Sequence, residues 1–182
     1  MTFWIVLDVI ALIAIWLIAT YNGLVGGRNQ AQTAWSQIDV QLKRRHDLIP
    51  NLVETVKGYA AHERGTFEAV TAARANAINA QTPADQAQAE NVLSGALKSL
   101  FAVAEAYPDL KANQNFLNLQ EELTASEDKV AYARQYYNDS VLSYNTQIQK
   151  FPTVLIAGMF HFEKRDFFDA APEDTEPVQV QF

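Results

Sequence analysis

The chain has three histidines, His46, His62 and His161, and no cysteine. A zinc protease needs a second histidine four residues after the first, with a glutamate next to the first. His62-Glu63 has Thr66 at that place. Di-iron bundles need Glu-x-x-His pairs from two helices, but Lys43, Tyr59 and Gly158 stand three residues before the histidines. The adjacent acids Glu121-Glu122 and Glu127-Asp128 diverge on a helix and read as a solvated face. Ser36 and Ser140 have no base at a recognisable spacing, and no glycine-rich phosphate loop or Walker lysine occurs. This pattern points away from an enzyme, and no cofactor or metal is expected.

Arg45 is the more informative polar residue. Apolar residues recur at heptad spacing through Trp35, Leu42, Ile49, Val56, Val70 and Ala77, with Glu63 interrupting the row. The companion row holds Ile38, Leu52, Tyr59 and Ala73, and Arg45 falls on it between Ile38 and Leu52. A charge in such a seam must be paired or rotated out. Asp128 and Asp139 on the last helix are the expected partners, and a polar layer fixing register is the expected role. Lys43, Arg44 and Arg45 lie at least fifteen residues beyond the apolar N-terminal run, so lipid contact there is not expected.

Ala, Gln, Leu and Glu dominate the body, and these are helix formers. The heptad phase runs unbroken across Pro50, which predicts one long kinked helix over residues 28–80; a helix ending near His46 with a new one at Pro50 is the alternative. Thr82-Pro83 caps and starts the next helix. Tyr107-Pro108-Asp109 ends it. Phe116, Leu123, Val130, Tyr137, Tyr144 and Phe151 then repeat every seven residues along a last long helix over residues 109–150. The expected fold is all-α: an N-terminal transmembrane helix followed by a long antiparallel bundle of three or four helices.

The first 27 residues contain a single charge, Asp8. About eighteen largely apolar residues suffice to cross the hydrocarbon core as a helix. Trp4, Trp16 and Tyr21 suit the two interfaces. The basic n-region of a cleaved signal is absent, so an uncleaved anchor is expected. Arg28 follows the span and no Lys or Arg precedes it, which puts the body in the cytoplasm and the N-terminus outside. Asp8 is either a functional intramembrane acid or an acid close to the outer headgroups. Ala19, Gly23 and Gly27 share one helix face, suited to close packing of two anchors. The alternative is a flexible glycine exit from the bilayer.

Net charge is −7, with 49% apolar and 19% charged residues. Such a chain is too apolar to be disordered, and its acidity argues against nucleic acid as a partner. All 14 basic residues lie between Arg28 and Arg165, nearly balanced by acids, whereas five acids and no base follow from Asp166 onward. Residues 151–169 are rich in apolar and aromatic side chains but too short to span. They are expected either to pack across the bundle end or to lie on a membrane surface with Lys164 and Arg165 at the headgroups. In the tail, Val178, Val180 and Phe182 alternate, which suits strand addition to a partner; a solvated end is the alternative. The expected division is residues 1–27 anchor and glycine exit, 28–150 bundle, 151–169 apolar segment and 170–182 acidic tail.

Several segments stand out: Ala34-Trp35, Leu48-Ile49-Pro50-Asn51-Leu52-Val53, Tyr107-Pro108-Asp109-Leu110 with Asn113, Asn115 and Phe116, Tyr137-Asn138-Asp139, Phe151-Pro152 and Phe167-Phe168. Together they resemble the LemA family of bacterial membrane-anchored proteins. The resemblance covers nearly the whole chain. It implies one transmembrane helix, a long antiparallel bundle and no enzyme chemistry. The expectation is a self-associating scaffold of the bacterial inner membrane that presents its tail to a membrane-protein partner. The alternative is a module binding a small ligand or peptide in the bundle interior.

Overall fold

The computed structural model describes residues 1–168. The tail residues Val178, Val180 and Phe182 lie outside the described residues. Among the described residues six helices follow in order: α1 (Thr2–Lys57), α2 (Arg64–Ile78), α3 (Pro83–Glu105), α4 (Pro108–Lys111), α5 (Gln114–Gln149) and α6 (Thr153–Met159). The four longer ones form the antiparallel bundle, as the periodicity predicts.

α1 is a single helix of 56 residues, about 84 Å long at about 1.5 Å per residue. Its first part carries a window of mean hydropathy 2.5, long and apolar enough to cross a membrane, with none of it buried in the protein. From Leu24 onward the same helix enters the core. Ala31, Ala34, Ile38, Leu42, Arg45, Ile49, Leu52 and Val56 are buried at spacings of three and four. That is the geometry of a seam facing partner helices.

Pro50 lies inside α1. Proline has no N–H to reach the carbonyl four residues back, that of His46. Arg74 Nε of α2 donates to that oxygen at 2.7 Å, so the gap in the helix ladder becomes a tie between two helices.

The helix expected over residues 28–80 is corrected at both ends. It extends back to Thr2, and it stops at Lys57. The amides of Tyr59 and Ala60 both turn onto the carbonyl of Val56, at 3.0 and 2.9 Å. The chain reverses through residues 58–63, and α2 returns along α1 with Lys57 Nζ 6.0 Å from the Phe67 ring centroid. Glu63, the break in the heptad row, marks this reversal. Tyr59 and Phe151, both counted on the stripes, are exposed. Thr82 accepts the Asp85 amide at 3.1 Å with Pro83 opening α3, as predicted. Asn113 caps α5 in the same way through the Phe116 amide.

The largest core cluster joins α1, α2, α3 and the start of α5 around Leu52, Val56, Val70, Leu93, Leu100 and Leu123. A second runs between α1 and α5 around Ile38, Leu42, Tyr137 and Val141, and it includes Phe168. A third joins Leu24 to Tyr144, Ile148, Ile156 and Phe162 at the end of the bundle next to the anchor.

Candidate functional site

Arg45 is buried where α1, α3 and α5 meet. Its partner is not Asp128 or Asp139. Arg45 Nη1 donates to Glu90 Oε2 at 3.0 Å, and Nη2 donates to Ser94 Oγ at 2.8 Å. Glu127 Oε1 on α5 stands 3.6 Å from Nη2 at the solvent edge. Glu90 Oε1 also meets His46 Nε2 at 2.7 Å and accepts from Gln86 Nε2 at 3.0 Å. Asp139 is exposed and stands outside this cluster. α3 comes to Arg45 because the α2–α3 hairpin folds back on α1, and this closer element supplies the acid before α5 can. Glu90 was detectable: it continues the Ala87, Leu93, Leu97 stripe, so an acid sits on an apolar face. The Glu90 carboxylate and the Arg45 guanidinium pair with one another inside the bundle, with Arg45 Nε left without a hydrogen-bond partner.

A second arrangement holds the chain after α6. His161 adopts φ 55, the left-handed position at a helix end. Phe162 N–H then donates to Ala157 at 2.9 Å and His161 N–H to Gly158 at 3.4 Å. This turn sends residues 162–168 back along α5. Asn145 pairs with the backbone of Arg165 through both amide atoms, at 2.9 and 2.9 Å. Asn138 does the same with Phe168 at 2.8 and 2.8 Å. Two helical turns advance about 10 Å, and three residues of extended chain advance about 10 Å. Heptad-spaced asparagines therefore match every third residue of an extended strap. Tyr137 donates to the Asp166 carbonyl at 2.8 Å, and Arg165 Nη1 to Gln32 Oε1 at 3.0 Å. The signal was present in the sequence as Tyr-Asn repeated at seven, Tyr137-Asn138 and Tyr144-Asn145. Of the two alternatives for residues 151–169, packing on the bundle describes Ile156, Ala157, Phe162 and Phe168, which are buried.

Burial pushes the phenols of Tyr137 and Tyr144 above their ordinary 10.0, while Arg165 pulls both back in part. The folded protein therefore holds these protons more tightly than the unfolded chain. Their contribution is complete below about pH 10 and is lost as pH rises further. Thermal melts should be flat as pH approaches about 10 and fall above it. Tyr137→Phe should flatten that alkaline fall, and an unchanged fall would assign it to other groups.

The anchor residues separate. Gly23 faces open space, whereas a Cβ on Gly27 would meet Gln147 Oε1 at 3.1 Å and Tyr144 Cδ2 at 3.4 Å. Gly27 thus serves close packing of α1 against α5 within the chain. The helix runs through both glycines without a break. Ala19 and Asp8 are exposed on the apolar part.

Ser36 and Ser140 bond the carbonyls four residues back, Gln32 at 3.2 Å and Tyr136 at 2.8 Å. His62 is exposed in the reversal. No group of three or more His, Cys, Asp or Glu that could hold a metal exists among the described residues. A cleft of about 200 Å³ opens beside Arg45, lined by Ser94, Phe101, Gln120 and Thr124. An open groove of about 640 Å³ runs between α1 and α5, lined by Ser36, Val40, Lys129, Tyr132 and Tyr136.

A model of the LemA family matches residues 34–182. The magnetosome protein MamQ 2 of Paramagnetospirillum magneticum is 27% identical over 199 residues, covering 95% of this chain and 73% of that protein. The magnetosome protein MamQ of Magnetospirillum gryphiswaldense is 26% identical with the same coverage. Protein LemA of Metamycoplasma hominis is 29% identical over 154 residues, covering 82% of this chain and 67% of that protein.

Proposed function

The chain belongs to the LemA family, and from that premise we propose that it is a non-enzymatic, membrane-anchored scaffold of the bacterial cell membrane. The observation that carries this reading is the continuity of α1. One helix without interruption supplies both the exposed apolar run and the buried seam of the bundle. The bundle is thereby held upright on its anchor instead of swinging on a glycine linker. The scaffold self-associates through the anchor face of Ala19 and Gly23, which is open in the single chain. It presents residues 178–182 to a membrane-protein partner, and its body lies in the cytoplasm. A ligand held in the interior is less well supported, because the seam is filled with side chains and the cleft beside Arg45 is only about 200 Å³.

One preparation tests this reading. Full-length protein extracted in mild detergent should be larger than one chain and should capture a discrete membrane protein. Gly23→Leu should reduce its size, and deletion of residues 178–182 should remove the captured partner while helicity is unchanged. Protease added outside intact cells should leave the bundle uncut. A single-chain particle that captures nothing would overturn the scaffold reading. Digestion from outside would reverse the topology.

A further inference from the structure

α6 is apolar all round. Ile156 and Ala157 are buried against the bundle, while Leu155 is 62%, Met159 70% and Phe160 53% exposed. Just before it, Phe151 is 81% exposed. The exposed face of α5 after Leu142, itself 57% exposed, is polar by comparison, with Ser143, Gln147 and Gln149. A helix with apolar residues on both sides requires an apolar environment on both.

The position of α6 says what that environment is. Residues 2–20 of α1 span about 28 Å, close to the thickness of a hydrocarbon core. Tyr21, at the end of that run, has its ring centroid 4.9 Å from Phe160 and 5.7 Å from Phe162. Leu24, one turn on, is covered by Ile156 and Phe162. α6 therefore sits beside the helix where the anchor leaves the bilayer. Basic side chains flank it: Lys150 and Lys164 are exposed, and the Arg28 guanidinium lies over Phe162 at 5.3 Å. Tyrosine, aromatic and lysine side chains around an apolar helix are the composition of a membrane interface.

We infer that α6 is a second membrane contact, a foot whose Leu155, Met159 and Phe160 face enters the lipid interface beside the anchor. This rests on the anchored reading of residues 2–20. Two contacts fix the tilt and rotation of the bundle relative to the bilayer, where one helix alone leaves rotation about its axis free.

The chain has no cysteine, so single labelling sites need no background removal. Leu155→Cys and Met159→Cys, with Ile10→Cys in the span and Gln135→Cys on exposed α5 as references, are each labelled with an environment-sensitive fluorophore. The full chain is reconstituted into vesicles of phosphatidylcholine and phosphatidylglycerol with and without doxyl-labelled lipid. Labels at 155 and 159 should emit severalfold more strongly than the label at 135, and headgroup-depth doxyl lipid should quench them. Ile10 should be quenched most by mid-chain doxyl lipid. If 155 and 159 behave like 135 while 10 is quenched, the foot is refuted and the anchor stands. If 10 is not quenched either, the anchored reading and the foot both fail. Bright emission at 155 and 159 that lipid does not quench, and that rises with protein density, would assign the face to a second copy and overturn the lipid contact.

Discussion

Glu90→Ala should destabilise the bundle by about 3–5 kcal/mol, the cost of leaving a buried charge without its partner. Arg45 is 3% exposed and Glu90 4%, so water reaches the lost carboxylate's place only through the narrow cleft beside Arg45. Arg45, His46 and Gln86 converge on Glu90; its loss strips Arg45 Nη1 and His46 Nε2 of their partner, while Gln86 keeps the Ala77 carbonyl at 3.0 Å. Arg45 Nε is already buried without a hydrogen-bond partner, which leaves little slack in the cluster. In a chain of this length the melting temperature should fall by about 10 °C. Glu90→Gln keeps the shape but not the charge and should fall between the two. Removing both charges, in Arg45→Met with Glu90→Leu, should recover much of the loss because the desolvation penalty disappears with the pair. Circular dichroism melts of the unaltered protein and the three variants in one detergent decide this. A loss under about 1 kcal/mol in Glu90→Ala would mean that Glu127 takes over the guanidinium and that the cluster is not a register lock.

Phe168→Ala should have an effect of similar size but a different reach. Phe168 is 2% exposed and packs beside Trp35, centroids 6.2 Å apart. Truncating a buried phenylalanine costs about 3–5 kcal/mol. The loss falls first on the strap, whose hold on α5 runs through Asn138, Asn145 and Tyr137. Amide exchange at Arg165 and Phe168 should accelerate by about 10²-fold or more, tenfold per about 1.4 kcal/mol. Exchange in α2 and α3 should stay unchanged, and so should anchor insertion. Uniform acceleration through the whole bundle would show that the strap belongs to the cooperative core and does not open on its own.

The two results concern residues of unequal visibility in the sequence. The place of Arg45 in the seam was visible because heptad spacing is a local property. Its partner was not, because Glu90 lies 45 positions away and only the folding of the α2–α3 hairpin brings it in. The role of Asn145 is hidden for a similar reason: polar residues on a long helix usually face water, and the returning strap gives this one its buried task. The reversal at residues 58–63 was hidden by arithmetic. Val56 and Val70 are two heptads apart, so a loop that preserves the count looks the same as an uninterrupted helix.

By itself, then, the amino-acid sequence determined the elements and their faces. It set an apolar run long enough to cross a membrane, helix formers throughout, seams at heptad spacing, and the cap at Thr82-Pro83. These follow from interactions within about one or two turns of the chain, which spacing alone expresses. Tertiary structure decided which acid neutralises Arg45, which glycine packs inside the chain, that Arg74 takes up the carbonyl freed by Pro50, and that residues 162–168 return along α5. Each of these joins positions many turns apart. Their energies exist only after the hairpin closes and water leaves the seam, because the same charges and amides are fully satisfied by solvent until then.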